Sequence, residues 1–356
     1  MTARHPSASP TRIRFGSRPA IATGFVKRQE QDELFDAVFA RAEPRTVLTG
    51  MRGSGKTQLA AAVATRCEEE GWPLVAWIHA ASRKHIIADL YEVALRIGID
   101  APKNIPLEVI VQRLLAQLRS AEAADRLVVF DNVENPDDLR DLIPEGPGVR
   151  TLVTTPRHFD WDGLGWLRLA VGAFDREQSV SLLCEHTGDT HREAADRIAD
   201  ALDDVPVAIT QAAATAKQGG YALSGYLDRL SRHPLESRMS RLEGANYPDA
   251  VGIALLMAYE QVLEQLRTKH PQQERIAVSL LCALSLLAAS GVPTHWLLRL
   301  DADSDAVRDT LSFLKSAAIF QESSDGDKTI IPWLQGHVYR ETYLNDQKKL
   351  GEARTC

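Results

Sequence analysis

The sequence predicts an α/β fold: a parallel sheet flanked by helices, followed by an all-α helical domain and then a winged-helix domain. Three observations predict it. First, the glycine loop Gly50-Met51-Arg52-Gly53-Ser54-Gly55-Lys56-Thr57 lies between a β-branched, apolar run at 46–49 and an Ala-rich helical stretch at 58–70. Second, the continuous apolar run 127–130 ends in Asp131, the pattern of a strand buried on both faces with a carboxylate at its C-terminal end. Third, after Phe174 the texture becomes helical throughout, and toward the C-terminus three helical stretches precede two short β runs.

The loop fits G-x-x-x-x-G-K-[ST] at every fixed position. Glycines let the backbone curl so that its N–H groups point inward, and the helix that follows adds the positive end of its dipole. Gly50, Arg52, Gly53, Ser54, Gly55, Lys56, Thr57 and the helix-opening Gln58 are therefore candidate nucleotide-binding residues, with Lys56 reaching the β- and γ-phosphates and Thr57 holding Mg²⁺. The plainer alternative is a glycine-rich βα turn without a ligand. With both flanks correct, the phosphate cradle is favoured, and the first module reads as a P-loop NTPase sheet.

At 356 residues the chain is long enough for two or three domains, and 44% hydrophobic residues can bury real cores. A net charge of −7 argues against a general nucleic-acid binder, since phosphate contacts need clustered Lys and Arg. The scattered cysteines Cys67, Cys184, Cys282 and Cys356 suggest neither a disulfide framework nor a zinc site. The longest apolar run, 276–291, is broken by serines and falls short of a membrane span, so no membrane role is expected and a reducing cytoplasm is the default compartment. Residues 1–20 carry Arg4, Arg12, Arg14 and Arg18 without an acid and read as a disordered basic tail, with an organelle transit peptide as the alternative.

In chain order, the nucleotide-binding domain is expected over 21–172. The amphipathic stretch 29–41 and the segments 84–97 and 107–120 read as helices, and 46–49, 73–80, 126–131, 151–155 and 167–171 as strands. Asp131 is the natural Mg²⁺ partner of Thr57, directly or through water, against a helix-cap or turn aspartate. Arg157, closing the run 151–155, either senses the γ-phosphate or is a solvated loop arginine. Glu134 is the carboxylate nearest Asp131 and the candidate general base, or else a solvated loop acid. A helical domain is expected over 173–245, with Pro206 in the first turn of a helix, and a polar linker over 231–248. The winged-helix domain is expected over 246–345 and a short tail over 346–356. Its third helix, 306–318, offers only Arg308 and Lys315 against Asp305 and Asp309, which favours packing over DNA reading.

With these pieces placed, the chain resembles the NB-ARC group of STAND signalling NTPases, bacterial relatives of plant resistance proteins and the animal apoptosome scaffold, over about residues 21–340. Phe25-Val26-Lys27-Arg28-Gln29-Glu30 is similar to that family's entry motif, which implies Val26 against the adenine and Arg28 near the nucleotide. Asp131-Asn132 resembles its second phosphate-site motif, and Thr154-Thr155-Pro156-Arg157 its Thr-Ser/Thr-Arg segment with Pro156 inserted. Asp204-Val205-Pro206-Val207-Ala208 resembles Gly-Leu-Pro-Leu-Ala, which implies Pro206 beside adenine and ribose. The family's late His, which contacts the β-phosphate of ADP, has two possible counterparts here. Aligned on Gln335 it is replaced by Ile331 and the contact is lost; otherwise His337 supplies it.

The resemblance implies an ATP/ADP switch with slow Mg²⁺-dependent hydrolysis, serving signal transduction or defense response. Assembly with further copies or other chains would be controlled by nucleotide, and an effector or sensor protein would be a partner. Two alternatives stand beside it: a steady-turnover ATPase of the AAA or origin-binding type, and a winged-helix DNA-binding transcriptional regulator.

Overall fold

Short apolar runs buried on both faces are stable as parallel strands covered by helices. The computed structural model, which describes residues 12–22, 24–232, 249–287 and 291–344, contains such a sheet of six strands. The described residues form two compact units: those of Met1–Gly16, Arg28–Gly50 and Leu59–Ala170 make the first, and those of Ser17–Lys27, Met51–Gln58 and Val171–Cys356 the second.

The elements of the sheet region are, in chain order, β1 (Ile13–Phe15), α1 (Gln29–Phe35), β2 (Arg45–Thr49), α2 (Lys56–Glu69), β3 (Leu74–His79), α3 (Arg83–Arg96), α4 (Leu107–Ser120), β4 (Arg126–Asp131), β5 (Val149–Thr155) and β6 (Leu167–Ala170). The spatial order is β1-β3-β4-β5-β2-β6, and every neighbouring pair is parallel. Side chains of β3, β4 and β5, such as Ile78, Phe130 and Val153, pack in one buried cluster with Ile86 and Leu90 of α3 and Leu114 of α4. Each such side chain contributes roughly 1.5–3 kcal/mol when fully buried.

Two expectations are corrected in this unit. The tail expected to be disordered over 1–20 contains β1, which pairs in parallel with Leu74–Ala76 at the sheet edge. Ile13 and Phe15 alternate with Arg14 and lay an apolar face on the sheet cluster, a period-two signal that the arginine count had masked. Close packing continues at Gly16, where φ is +88° and a Cβ would sit 1.9 Å from the Trp77 carbonyl oxygen. Residues 1–11 of that tail lie outside the described residues. The helix expected over 29–41 changes at Asp36 from α1 into a π-helical turn, Asp36–Ala40.

The second unit is built on α5 (Arg176–Thr187), α6 (Arg192–Ala201), α7 (Pro206–Gly219), α8 (Leu223–Arg232), α9 (Asp249–Lys269), α10 (Pro271–Leu286), β7 (Val292–Pro293), α11 (Thr294–Leu297), α12 (Ser304–Ser316), β8 (Gln321–Glu322), β9 (Lys328–Ile330) and α13 (Trp333–Tyr339). Local sequence sets the helix ends. Asp175 and Gln178 form a reciprocal capping box on α5 (2.7 and 3.0 Å), Gly188 ends it in the left-handed region, and Pro206 opens α7 where its missing N–H costs nothing. Strands β7, β9 and β8 form an antiparallel sheet in that order.

One buried cluster runs from Phe174 through Tyr226, Tyr259 and Leu281 to Tyr339. The helical part expected over 173–245 and the part expected over 246–345 therefore share a core. Of the linker expected over 231–248, only Ser231 and Arg232 are described, as the end of α8; the remainder and the tail expected over 346–356 lie outside the described residues.

Candidate functional site

The glycine loop follows β2 directly. Gly50, Gly53 and Gly55 take φ values of +146°, +82° and +96°, a region that L side chains rarely enter, and α2 begins at Lys56. Helix N-terminal N–H groups therefore stand at the end of a curled loop, which fits an anionic phosphate. Lys56 is buried and its Nζ donates to the Met51 carbonyl oxygen at 2.7 Å, closing the loop on itself.

Two distant helices touch this loop within the second unit. The Val207 N–H, in the first turn of α7, donates to the Gly53 carbonyl oxygen at 3.3 Å. A Cβ at Gly53 would lie 2.6 Å from Val207 Cγ1 and 3.6 Å from Leu334 Cδ2 of α13, so only glycine fits. The Arg52 guanidinium lies 4.1 Å from the centre of the Trp333 ring, and Trp333 stacks on His337 with centroids 4.9 Å apart and planes 7° from parallel. His337 thus joins the loop through Trp333 and Arg52. Buried amides tie α7 to α13: Gln335 Nε2 donates to Gln211 Oε1 (2.5 Å) and to the Ala318 carbonyl (2.9 Å), while Gln211 Nε2 donates to the Ala317 carbonyl (2.9 Å).

The entry segment is divided between the units. Val26 packs on the second unit's core, and the Lys27 carbonyl accepts from Gln178 Nε2 at 3.3 Å. Arg28 belongs to the first unit, where it is buried and lies 3.6 Å from Glu30. Burial pulls its pKa down, and Glu30 pulls it back up.

In the first unit, the C-terminal ends of β4 and β5 bring Asp131, Asn132, Glu134, Thr154 and Arg157 together. Thr154 Oγ1 donates to Asp131 Oδ1 at 2.6 Å and accepts from the Asn132 N–H at 2.8 Å, with Asn132 at φ +63°. Thr155 Oγ1 donates to the Val133 carbonyl (2.7 Å) and accepts from the Arg157 N–H (3.1 Å). Arg157 Nε pairs with Glu134 Oε2 at 3.3 Å, so the expected phosphate sensor and the expected base engage each other. Among the described residues no group of three or more His, Cys, Asp and Glu could hold a metal ion. Within the first unit, a carboxylate fixed like that of Asp131 would suit Mg²⁺, which keeps waters and phosphate oxygens as its other ligands.

The second unit therefore holds Val26, Arg52, Gly53, Ser54, Gly55, Lys56, Thr57, Gln58, Pro206 and His337, and the first holds Arg28, Gly50, Asp131, Glu134 and Arg157. The Gln58 carboxamide is engaged by the Ala22 N–H, the Ala20 carbonyl and Gln321. Sequence reasoning missed the loop contacts of Val207, which stood there only as a member of the motif around Pro206, and of Trp333 and Leu334. It also missed His79, the last residue of β3, which is in register with Asp131; strand order, which the sequence does not show, is what pairs them.

No family model and no curated protein matches the sequence. Solved structures do match. A STAND protein with a tetratricopeptide repeat sensor from Pyrococcus horikoshii is 13% identical, with a TM-score of 0.53 over 94% of this chain and 45% of that one. This chain thus spans less than half the length of that relative. A Walker-type ATPase of Pyrococcus abyssi is 15% identical, with a TM-score of 0.42 over 91% of this chain and 98% of that one. The Cdc6 protein of Pyrobaculum aerophilum is 14% identical, with a TM-score of 0.45 over 92% and 97%. The chain has the fold of the P-loop ATPases, a parallel sheet flanked by helices with a helical C-terminal region.

Proposed function

We propose that this chain is an ATP/ADP-binding molecular switch of the NB-ARC, STAND type, acting in signal transduction with slow Mg²⁺-dependent hydrolysis and nucleotide-controlled assembly. The observation that carries this reading is the contact of α7 and α13 with the phosphate loop at Gly53 and Arg52. A loop whose shape depends on its ligand then bears directly on helices far along the chain. A ligand can shift such an equilibrium only by its difference in affinity for the two states, and these contacts supply a place where that difference can arise.

In this reading Lys56 leaves the Met51 carbonyl for the phosphates, and Thr57 and Asp131 are the Mg²⁺ ligands. Val26 lies against the adenine, Pro206 beside adenine and ribose, and Arg28 near the nucleotide, while His337 acts on the phosphate side through its stack with Trp333. Bound Mg²⁺ would offset phosphate charge. The pairing of Glu134 with Arg157 supports slow hydrolysis, because the Glu134 Oε2 is turned to the Arg157 guanidinium rather than to an attacking water. On α12, Arg308 pairs with Asp305 at 2.7 Å and Lys315 pairs with Glu322, which supports a packing role for that helix rather than DNA reading. Partners are then further copies of the chain or a separate effector or sensor protein. No described helix is long and apolar enough to cross a membrane.

The test is the identity of the nucleotide retained after purification, combined with particle mass in ADP and in ATP. Retained ADP, and a mass that rises in ATP, are expected. Many turnovers per minute at constant mass would instead establish a steady-turnover ATPase.

A further inference from the structure

Residues 17–22 make contacts that the nucleotide reading does not use. They run antiparallel to β8: the Ala20 N–H donates to the Glu322 carbonyl at 2.8 Å, the Ser324 N–H donates to the Arg18 carbonyl at 2.9 Å, and Pro19 bridges Ser323. The segment thus lies along the β8 edge of the β7-β9-β8 sheet through one antiparallel bridge and two backbone hydrogen bonds. A proline is tolerated there because a segment at a sheet edge leaves one side of its backbone outside the ladder.

One side chain adds to the backbone hold on this strap. Gln58 Oε1 accepts from the Ala22 N–H at 2.8 Å, and Gln58 Nε2 donates to the Ala20 carbonyl at 3.3 Å and to Gln321 Oε1 at 3.0 Å. A carboxamide has two donor hydrogens and one acceptor oxygen, and here the oxygen and the donors are directed to the strap and β8 together. Gln58 sits in the first turn of α2, next to Thr57 and two residues beyond Lys56, so it moves with the end of the glycine loop.

We propose that Gln58 is the positioning residue that couples the phosphate loop to the strap, so that nucleotide binding and strap docking control each other. Hydrogen bonds fail beyond about 3.5 Å. A shift of roughly an ångström in the first turn of α2 therefore suffices to break the Gln58 bonds to Ala20 and Ala22, leaving the strap on its two backbone bonds to the β8 side and weakening its hold there. Reciprocity follows: whatever the nucleotide does to the strap, the strap does to nucleotide affinity by the same factor. The ligand in this proposal rests on the nucleotide reading above; the hold of Gln58 on the strap rests on geometry.

The experiment is hydrogen exchange, read by mass spectrometry, on peptides covering 17–22 and 321–324 of the full chain, with and without Mg-ADP, and with ADP affinity measured in parallel by calorimetry. Gln58→Ala is expected to speed exchange in both peptides by about tenfold or more, in line with loss of local protection. Ala22→Pro, which deletes one donor to Gln58 and leaves the loop sequence intact, is expected to loosen the same peptides and shift ADP affinity. Mg-ADP is expected to change exchange there in the wild type and not in Gln58→Ala. ADP binding with no exchange response in the wild type overturns the coupling alone. Wild-type exchange in both variants overturns the hold on the strap, and no ADP binding at all overturns the nucleotide reading and the coupling with it.

Discussion

Thr154 donates its hydroxyl proton to Asp131 Oδ1 at 2.6 Å while its oxygen accepts the Asn132 N–H at 2.8 Å, so the hydroxyl is fixed from both sides. The carboxylate is thereby oriented from the adjacent strand. Hydrogen bonds to a charged group contribute about 1.5–3 kcal/mol. Thr154→Val keeps the shape and removes the donor; it should lower Mg²⁺-dependent nucleotide affinity by about tenfold or more and leave metal-free affinity near wild type. Thr154→Ser should restore most of the loss. Calorimetry with and without Mg²⁺ decides it, and equal affinities for wild type and Thr154→Val would remove this role.

Lys56 is a buried cation whose ammonium bonds the Met51 carbonyl. Lys56→Ala should abolish nucleotide binding while the circular-dichroism spectrum and thermal transition stay close to wild type, because the loop curvature comes from glycines. Normal affinity in a folded Lys56→Ala protein would refute the assignment of the loop.

Gly53 lies against Val207 and Leu334 with φ at +82°. Gly53→Ala combines a steric clash with backbone strain of about 1–3 kcal/mol and should lower the urea midpoint clearly. Adding Val207→Ala should recover the steric part but not the strain. If Gly53→Ala alone is as stable as wild type, the contact between α7 and the loop is not what the geometry indicates.

The Arg52–Trp333–His337 stack carries a cation–π contact of about 0.5–2 kcal/mol. Nucleotide binding to the loop should alter the emission of Trp333, read as the difference between wild type and Trp333→Phe, since the chain has 6 tryptophans. Arg52→Ala should abolish that difference. A nucleotide-independent Trp333 signal would separate α13 from the loop's ligand.

His186 is held below its ordinary pKa of 6.5 first by burial and then by Lys217, with Glu185 opposing. Its Nδ1 is buried without a hydrogen-bond partner among the described residues. With the folded pKa depressed, the unfolded chain binds a proton that the folded chain does not, so the associated stability is present above 6.5 and is lost as pH falls through that window. Urea midpoints at about pH 7.5 and about pH 5.5 should therefore differ more for wild type than for His186→Leu. A His186→Leu protein with the full acid sensitivity would place the titration elsewhere.

Much of this architecture is written in local patterns. The run 127–130 is apolar at every position because both faces of β4 are covered, and the glycines at 50, 53 and 55 stand where φ is positive, so strand, loop and helix could be read in order. Helix ends at Asp175, Gly188 and Pro206 follow from capping chemistry that acts within a few residues. The edge strand β1 escaped because three residues of alternation weigh less than a row of arginines.

The sequence by itself determined the sheet, the curled anion loop and the helical region after it, because glycine spacing, apolar periodicity and caps act between near neighbours. Only the tertiary structure decided that Val207 and Leu334 press on Gly53, that Trp333 lies under Arg52, that Gln58 serves the strap, and that His79 stands in register with Asp131. Those pairings join residues tens to hundreds of positions apart. They depend on strand order and on which helix faces meet, and a linear pattern of side chains does not record either.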